Sequence, residues 1–291
     1  MKCGIVVLIG KPNCGKSTLL NYILKEKIAP VSPKSQTTRK RLKGIYTEKR
    51  GQIVFIDSPG IYKPIHALGK YMVDEAIKNI NDGDILLWII DSSKNLTEED
   101  FIIYERIKKL DKPKIITINK IDIPNPNREE FIKQLNNFKE IDKIIPISSV
   151  TGQNVDLLLD EIFNILPEGD YLYDPEILTD SVERDIVSEI IREKIMLYTE
   201  EEIPYSVAVV VDEFKERENG KIYIKATIYV EKESQRKIVI GLKGNLLKKI
   251  GIESRIEIEN FLRKPIYLEL WVKIYKNWRK NKEALRYLGY K

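Results

Sequence analysis

Eight residues near the start of the chain, Gly10-Lys11-Pro12-Asn13-Cys14-Gly15-Lys16-Ser17, have the types and spacing to hold a phosphate chain. They fit G-x-x-x-x-G-K-[ST], in which a glycine-rich loop aims successive backbone N–H groups at one anion. Gly10 and Gly15 let the loop wind without a Cβ clash. Lys16 is placed to reach the β- and γ-phosphates, and Ser17 to ligate Mg²⁺. The motif has this meaning only between a strand and a helix. Ile5–Ile9 supplies an apolar strand, and Ser17-Thr18 opens a helical pattern whose N-terminus adds positive potential.

Three other stretches complete a nucleotide site. Asp57-Ser58-Pro59-Gly60 follows an apolar run. An acid at that strand end is a partner for Mg²⁺, directly or through water, and the Gly60 N–H can bond the γ-phosphate. Asn119-Lys120-Ile121-Asp122 ends another run. The Asp122 carboxylate can accept from N1–H and the 2-amino group of guanine. Adenine offers neither donor, and a site built to pair a donor rejects analogues lacking it. Asn119 and Lys120 brace the loop and cover the base. Ser148-Ser149-Val150 ends a third run and can give a backbone N–H to guanine O6. In Gln36-Thr37-Thr38-Arg39 a threonine hydroxyl can complete the Mg²⁺ shell when a γ-phosphate is bound; the residues alone leave Thr37 and Thr38 both open. Ile61 stands where many GTPases carry a water-orienting Gln, so slow intrinsic hydrolysis is expected, left to Mg²⁺, Lys16 and backbone donors.

These loops need a scaffold that brings strand ends to one rim. Strands are expected at 3–9, 42–48, 52–56, 85–90, 114–118 and 144–147, and helices at 16–25, 68–80, 97–110, 128–138 and 154–165. Such alternation predicts an α/β fold, a mostly parallel sheet with helices on both faces and ligands beyond the carboxyl ends of the strands. Pro, Gly and acids cluster from Leu166 to Pro175 and interrupt the pattern. The expected division is a nucleotide domain at 1–168, a linker at 169–179 and a second, α+β domain at 180–291.

The second domain is expected to run as a helix over 180–199, strands at 205–212 and 221–231 joined by a charged turn at Glu218-Asn219-Gly220, two helices, and a strand at 266–275. Between the helices, Ile240-Gly241-Leu242-Lys243-Gly244 fits the GXXG loop of KH domains, which clamps about four nucleotides of single-stranded nucleic acid. Lys243, Lys248 and Lys249 offer charge there. Residues 221–291 hold 18 basic against 7 acidic side chains, a polyanion-binding balance. Past the last strand, Trp278, Arg279 and Lys280 are the expected stacking and phosphate contacts, while Trp271 is expected with the apolar side of its strand.

Composition excludes other classes. Two cysteines, Cys3 and Cys14, fit a reducing compartment and make no disulfide framework. One histidine, His66, lacks the partners of a metal site or a triad. No apolar run reaches membrane-span length. A cytoplasmic protein is expected.

Together, Gly-Lys-Pro-Asn-x-Gly-Lys-Ser, Gln-Thr-Thr-Arg, Asp-Ser-Pro-Gly and Asn-Lys-Ile-Asp, in that order, resemble the translation-factor class of P-loop GTPases and, within it, the Era family of ribosome-assembly GTPases. Cys14, Ser58 and Ser149 depart from the Val, Thr and Ala common there. The resemblance selects Thr38 over Thr37 and makes Lys16, Thr38 and Gly60 the catalytic set. It implies GTP/GDP and Mg²⁺ as ligands, and K⁺ near the phosphates held with the help of Asn13, whose other reading is a loop cap. It also implies a helix-first KH domain, 16S ribosomal RNA near its 3′ end and the small ribosomal subunit as partners, a monomer, and peripheral contact with the inner face of the cell membrane. The alternative class is a signalling GTPase whose C-terminal domain binds protein or anionic membrane. A tRNA-modification GTPase wants a catalytic cysteine, for which Cys3 and Cys14 are badly placed.

Overall fold

The computed structural model describes every residue except Asn219 and Lys291. Packing divides the chain into two units. One holds Met1–Ala29, Thr38–Pro64 and Met72–Asp180; the other holds Pro30–Thr37, Ile65–Tyr71 and Ser181–Lys291.

The first stretch of chain runs β1 (Lys2–Ile9), α1 (Lys16–Leu24), β2 (Leu42–Glu48), β3 (Gly51–Asp57), α2 (Ala67–Asp82), β4 (Ile85–Asp91), α3 (Glu98–Ile107), β5 (Lys114–Asn119), α4 (Arg128–Leu135), β6 (Lys143–Pro146) and α5 (Val155–Ile165). The strands form one sheet in the order β2-β3-β1-β4-β5-β6. Only β2 runs antiparallel. Strands covered on both faces read as continuous apolar runs: β3 is buried throughout and β4 from Ile85 to Ile90. Trp88 of β4 sits in the core with Val7, Ile9, Ile103 and Phe138. The loops after β1, β3, β5 and β6 leave the carboxyl ends of parallel strands, so the sequence motifs share one rim.

Residues 169–180, most of them in the expected linker, are fastened to this unit. Buried Gln52 accepts from Leu172 N and Tyr173 N, both at 2.9 Å, and its Nε2 donates to Tyr173 O and Thr47 Oγ1, both at 3.0 Å. Ile45 N, on the outer strand β2, donates to Leu178 O at 2.8 Å.

The second unit contains α6 (Glu183–Tyr198), α7 (Ile203–Ser206), β7 (Ala208–Glu216), β8 (Ile222–Val230), α8 (Glu233–Ile240), a 3₁₀ turn at Leu242–Gly244, α9 (Asn245–Leu262), β9 (Ile266–Ile274), a 3₁₀ turn at Trp278–Lys280, and α10 (Lys282–Tyr287). Its sheet is ordered β7-β8-β9, antiparallel then parallel. Ile191 and Ile195 of α6 pack with Ile224 and Ile228 of β8 and Ile250 and Ile258 of α9. The expected strand at 205–212 starts later, because Pro204 at the head of α7 favours a helical turn. It also runs further, to Glu216, paired with Ile222. Of the expected turn Glu218-Asn219-Gly220, Asn219 lies outside the described residues.

Candidate nucleotide and nucleic-acid sites

The phosphate loop bends where side chains are disfavoured. Gly15 has φ 103° and Asn13 φ 64°. A Cβ on Gly15 would stand 2.1 Å from Asn119 Nδ2. Helix α1 starts at Lys16 with no side-chain cap and no acid in its first turn, so its leading N–H groups keep their positive end for an anion. Thr18, half-buried, lies in that turn. Lys16 is 6% exposed, and its Nζ donates to Lys11 O at 3.1 Å. The half-buried Pro12 touches Gly60: a Cβ at 60 would stand 2.4 Å from Pro12 N. Buried Ile61 donates its N–H to Gly10 O at 3.1 Å and brings no polar side chain to the rim. Ser58 and Pro59 are buried, and Ser58 Oγ leans toward Leu8 O at 3.4 Å.

Three oxygen donors meet beside the loop. Ser17 Oγ lies 2.6 Å from Asp57 Oδ2 and 2.8 Å from Thr38 Oγ1, and Thr38 Oγ1 lies 3.4 Å from Asp57 Oδ2. Thr37 is turned elsewhere, its hydroxyl donating to Lys34 O at 2.7 Å. Asp57 is fully buried, and its Oδ1 has no hydrogen-bond partner among the described residues. Burial pushes its carboxyl above the usual range, against the pull of Lys16, Ser17 and Thr38. Two hydroxyls and a carboxylate with a spare oxygen are hard donors that fit Mg²⁺. Ser17, Thr38 and Asp57 would hold the ion, which when bound neutralises charge developing on the phosphate oxygens.

Asn119 ties the base side of the rim together. Its Nδ2 donates to Cys14 O at 2.8 Å, and its Oδ1 accepts from Ser149 N and Ser149 Oγ, both at 2.9 Å. Lys120 Nζ donates to Asn13 O at 2.8 Å and to Asp91 Oδ2 at 2.6 Å. Burial works to raise the Asp91 carboxyl, but the bonds from Lys120 and Ser93 outweigh it and hold it low. Asp122 is exposed, its carboxylate at the surface. Burial keeps the Cys14 thiol up and protonated despite Lys16 and Lys120 nearby.

The expectation for guanine O6 needs correction at this turn. Ser149 N is spent on Asn119, and Ser148 N donates to Gln153 O at 3.1 Å. The amide left is that of Val150, on a residue 71% exposed. Sequence also missed Asp100, a buried acid of α3 whose Oδ2 lies 2.5 Å from Lys11 Nζ, with Thr97 Oγ1 2.9 Å from the same ammonium. No local pattern reveals a pair 89 residues apart.

In the second unit Gly241 has φ 75° and Gly244 φ 78°, and between them Leu242 is 82% exposed and Lys243 also exposed. Ile240, half-buried, closes α8 ahead of the loop. A cleft of about 400 Å³ opens beside it, lined by Gly244, Leu247, Lys248, Ile252, Arg255 and Leu268 among others. Arg255 and the two leucines were not expected from sequence, although their helical and strand phases match Lys248 and the cleft side of β9. Lys249 does not line the cleft; its Nζ sits 3.9 Å over the Tyr198 ring.

The expected contacts past β9 are corrected as well. Trp278 is fully buried, its indole N–H donating to Ser206 O at 3.0 Å and its ring stacked on Tyr290, so it offers no face to a base. Arg279 is paired with Glu231 at 2.5 Å. Lys280 is exposed. Trp271, expected inside, is 52% exposed, because it shares the strand face of Glu269 and Lys273, opposite Leu268 and Leu270.

Residues 5–120 match the family model described as 50S ribosome-binding GTPase, and residues 202–279 match the KH domain model. GTPase Era of Halothermothrix orenii is 44% identical over 292 residues, covering 100% of this chain and 99% of its own, and GTPase Era of Geobacter sp. (strain M21) is 46% identical, covering 99% and 98%. Among solved structures, Era in complex with MgGDPNP and nucleotides 1506–1542 of 16S ribosomal RNA matches at TM-score 0.95 and 42% identity, and a single-substitution variant of Aquifex aeolicus Era bound to GDP·AlF₄⁻ at 0.95 and 41%; each covers 100% of this chain and 99% of its own. With that likeness running the whole length of both units, the chain belongs to the Era family of GTPases.

Proposed function

We propose that this GTPase is a nucleotide-driven switch that binds 16S ribosomal RNA near its 3′ end during assembly of the small subunit. The observation that carries the reading is the exposed GXXG loop beside an open cleft, on a chain that also holds a guanine-nucleotide rim. A relative covering the full chain has been crystallised with such an RNA, which supports the same ligand here. Lys16 and the α1 amides grip the β- and γ-phosphates, Ser17, Asp57 and Thr38 bind Mg²⁺, and the Gly60 N–H senses the γ-phosphate. Asp122 and the Val150 amide read guanine. With Ile61 in place of a glutamine, hydrolysis is slow, and K⁺ near Asn13 supplies added positive charge. The basic C-terminal balance serves RNA, and peripheral membrane contact is secondary; the protein works in the cytoplasm as a monomer. Among the described residues no helix is long and apolar enough to cross a membrane.

Binding of a 16S fragment should be tighter with a non-hydrolysable GTP analogue than with GDP and should fall steeply with salt. Lys243→Glu should abolish it and leave GTP turnover intact. Equal RNA affinity in both nucleotide states removes the switch. Binding to anionic vesicles in place of RNA favours the signalling alternative.

A further inference from the structure

The open face of the second sheet carries aromatic side chains that the GXXG cleft does not use. In parallel register, Tyr223 of β8 stands beside Tyr267 of β9, Lys225 beside Glu269, Thr227 beside Trp271, and Tyr229 beside Lys273. Near Tyr229 this face is closed, since Tyr229 is buried against Tyr275 and against Tyr287 of α10. At the other end it is open: Tyr267 is 56% exposed and Trp271 52%. Tyr223 and Tyr267 stack at 6.0 Å between centroids, with the Arg217 guanidinium 4.5 Å and 5.8 Å from the two rings.

We propose that this face is a second platform for single-stranded RNA, stacking bases that flank those held in the cleft. The inference rests on the RNA-binding reading above and extends it. Continuity favours this occupant. Strand β9 is the edge of its sheet; Leu268 and Leu270 line the cleft from one side of it, while Tyr267, Trp271 and Lys273 stand on the other. A strand leaving the cleft across that edge meets the aromatic face next. The chemistry fits too: exposed π faces accept any base, and Arg217 and Lys273 neutralise phosphates, while Lys225 is paired with Glu213 at 4.0 Å. The acids present are engaged. Glu269 accepts from the Tyr223 hydroxyl at 2.7 Å and from the Trp271 indole N–H, which fixes the edge of each ring and leaves ring surface exposed. Glu213 pairs with Lys215 at 2.7 Å.

The chain's three tryptophans give a direct readout, since Trp88 and Trp278 are fully buried and Trp271 alone is exposed. On the full-length protein, a 12-nucleotide single strand from the 16S 3′ end should quench tryptophan emission and shield it from acrylamide. The four-nucleotide segment that fills the cleft should do neither. Trp271→Ala should weaken the 12-mer roughly 5- to 160-fold, the range for loss of one base–aromatic stack, and leave the 4-mer unchanged. Trp271→Phe should restore most of the loss, and GTP turnover should match the parent in both variants. Unchanged 12-mer affinity in Trp271→Ala overturns the proposal, as does an equal loss for both lengths. A concentration-dependent dimer that Trp271→Ala dissolves, with RNA affinity intact, overturns it in favour of a second copy as occupant. Lys243→Glu separates the two readings: if it leaves both lengths bound, the cleft assignment fails; if it abolishes the 4-mer while the 12-mer still quenches Trp271, the platform stands alone.

Discussion

At the residue scale the buried Asp57 carboxylate sets a pH dependence. Burial raises its pKa above the ordinary 3.8, so between the ordinary and the raised value the folded chain keeps a proton that the unfolded chain has released. That contribution to stability is present at low pH and is lost as pH climbs from the unfolded value through the raised one. Mg²⁺ needs the charged form, so its binding releases the proton and strengthens with pH across the same window. Titrating Mg²⁺–GDP affinity from pH 4.5 to 8 should show the rise, and Asp57→Asn should flatten it. Asp122→Ala should lower affinity for GDP by about 10²-fold or more and shrink the preference for guanine over adenine, measured by calorimetry with both nucleotides. These two acids were legible in the sequence, because each follows an apolar strand in a fixed motif. Lys11–Asp100 was not, since its halves come together only through the packing of α3.

At the element scale, Gln52 shows how a side chain orders a stretch composed like a linker. Three bonds from one buried carboxamide hold Leu172 and Tyr173 to the sheet, and a fourth, to Thr47 Oγ1, fixes the carboxamide itself. Gln52→Ala strands those partners, at about 1–3 kcal/mol for each group left buried and unpaired. Limited proteolysis between Asp170 and Asp180 should accelerate, well before global unfolding. Composition marked this stretch as a break in the α/β pattern, which it is; what composition lacks is the partner on β3. The two tryptophans make the converse point. Alternation along Tyr267, Glu269, Trp271 and Lys273 already puts Trp271 on the polar face, and reading it with the leucines overrode that register. Trp278 lies beyond the strand, where no period applies, and its burial depends on Ser206 and Tyr290.

At the scale of the whole molecule, two separately packed units predict unfolding that departs from a single transition. Mg²⁺–GDP at a hundredfold excess over its dissociation constant should stabilise the nucleotide unit by about 2.7 kcal/mol. In scanning calorimetry GDP should move one transition and the RNA fragment the other; a single transition moved equally by both contradicts separate units. The six-stranded sheet carries one more consequence. Along one margin Leu178 already takes the Ile45 amide, and the opposite margin, β6, is four residues long and ends in Pro146, whose nitrogen has no hydrogen to share. Neither border invites a neighbouring copy to extend this ladder, so the six-stranded sheet should not seed edge-to-edge pairing in concentrated stocks for as long as the Ile45–Leu178 bond on β2 stays fastened.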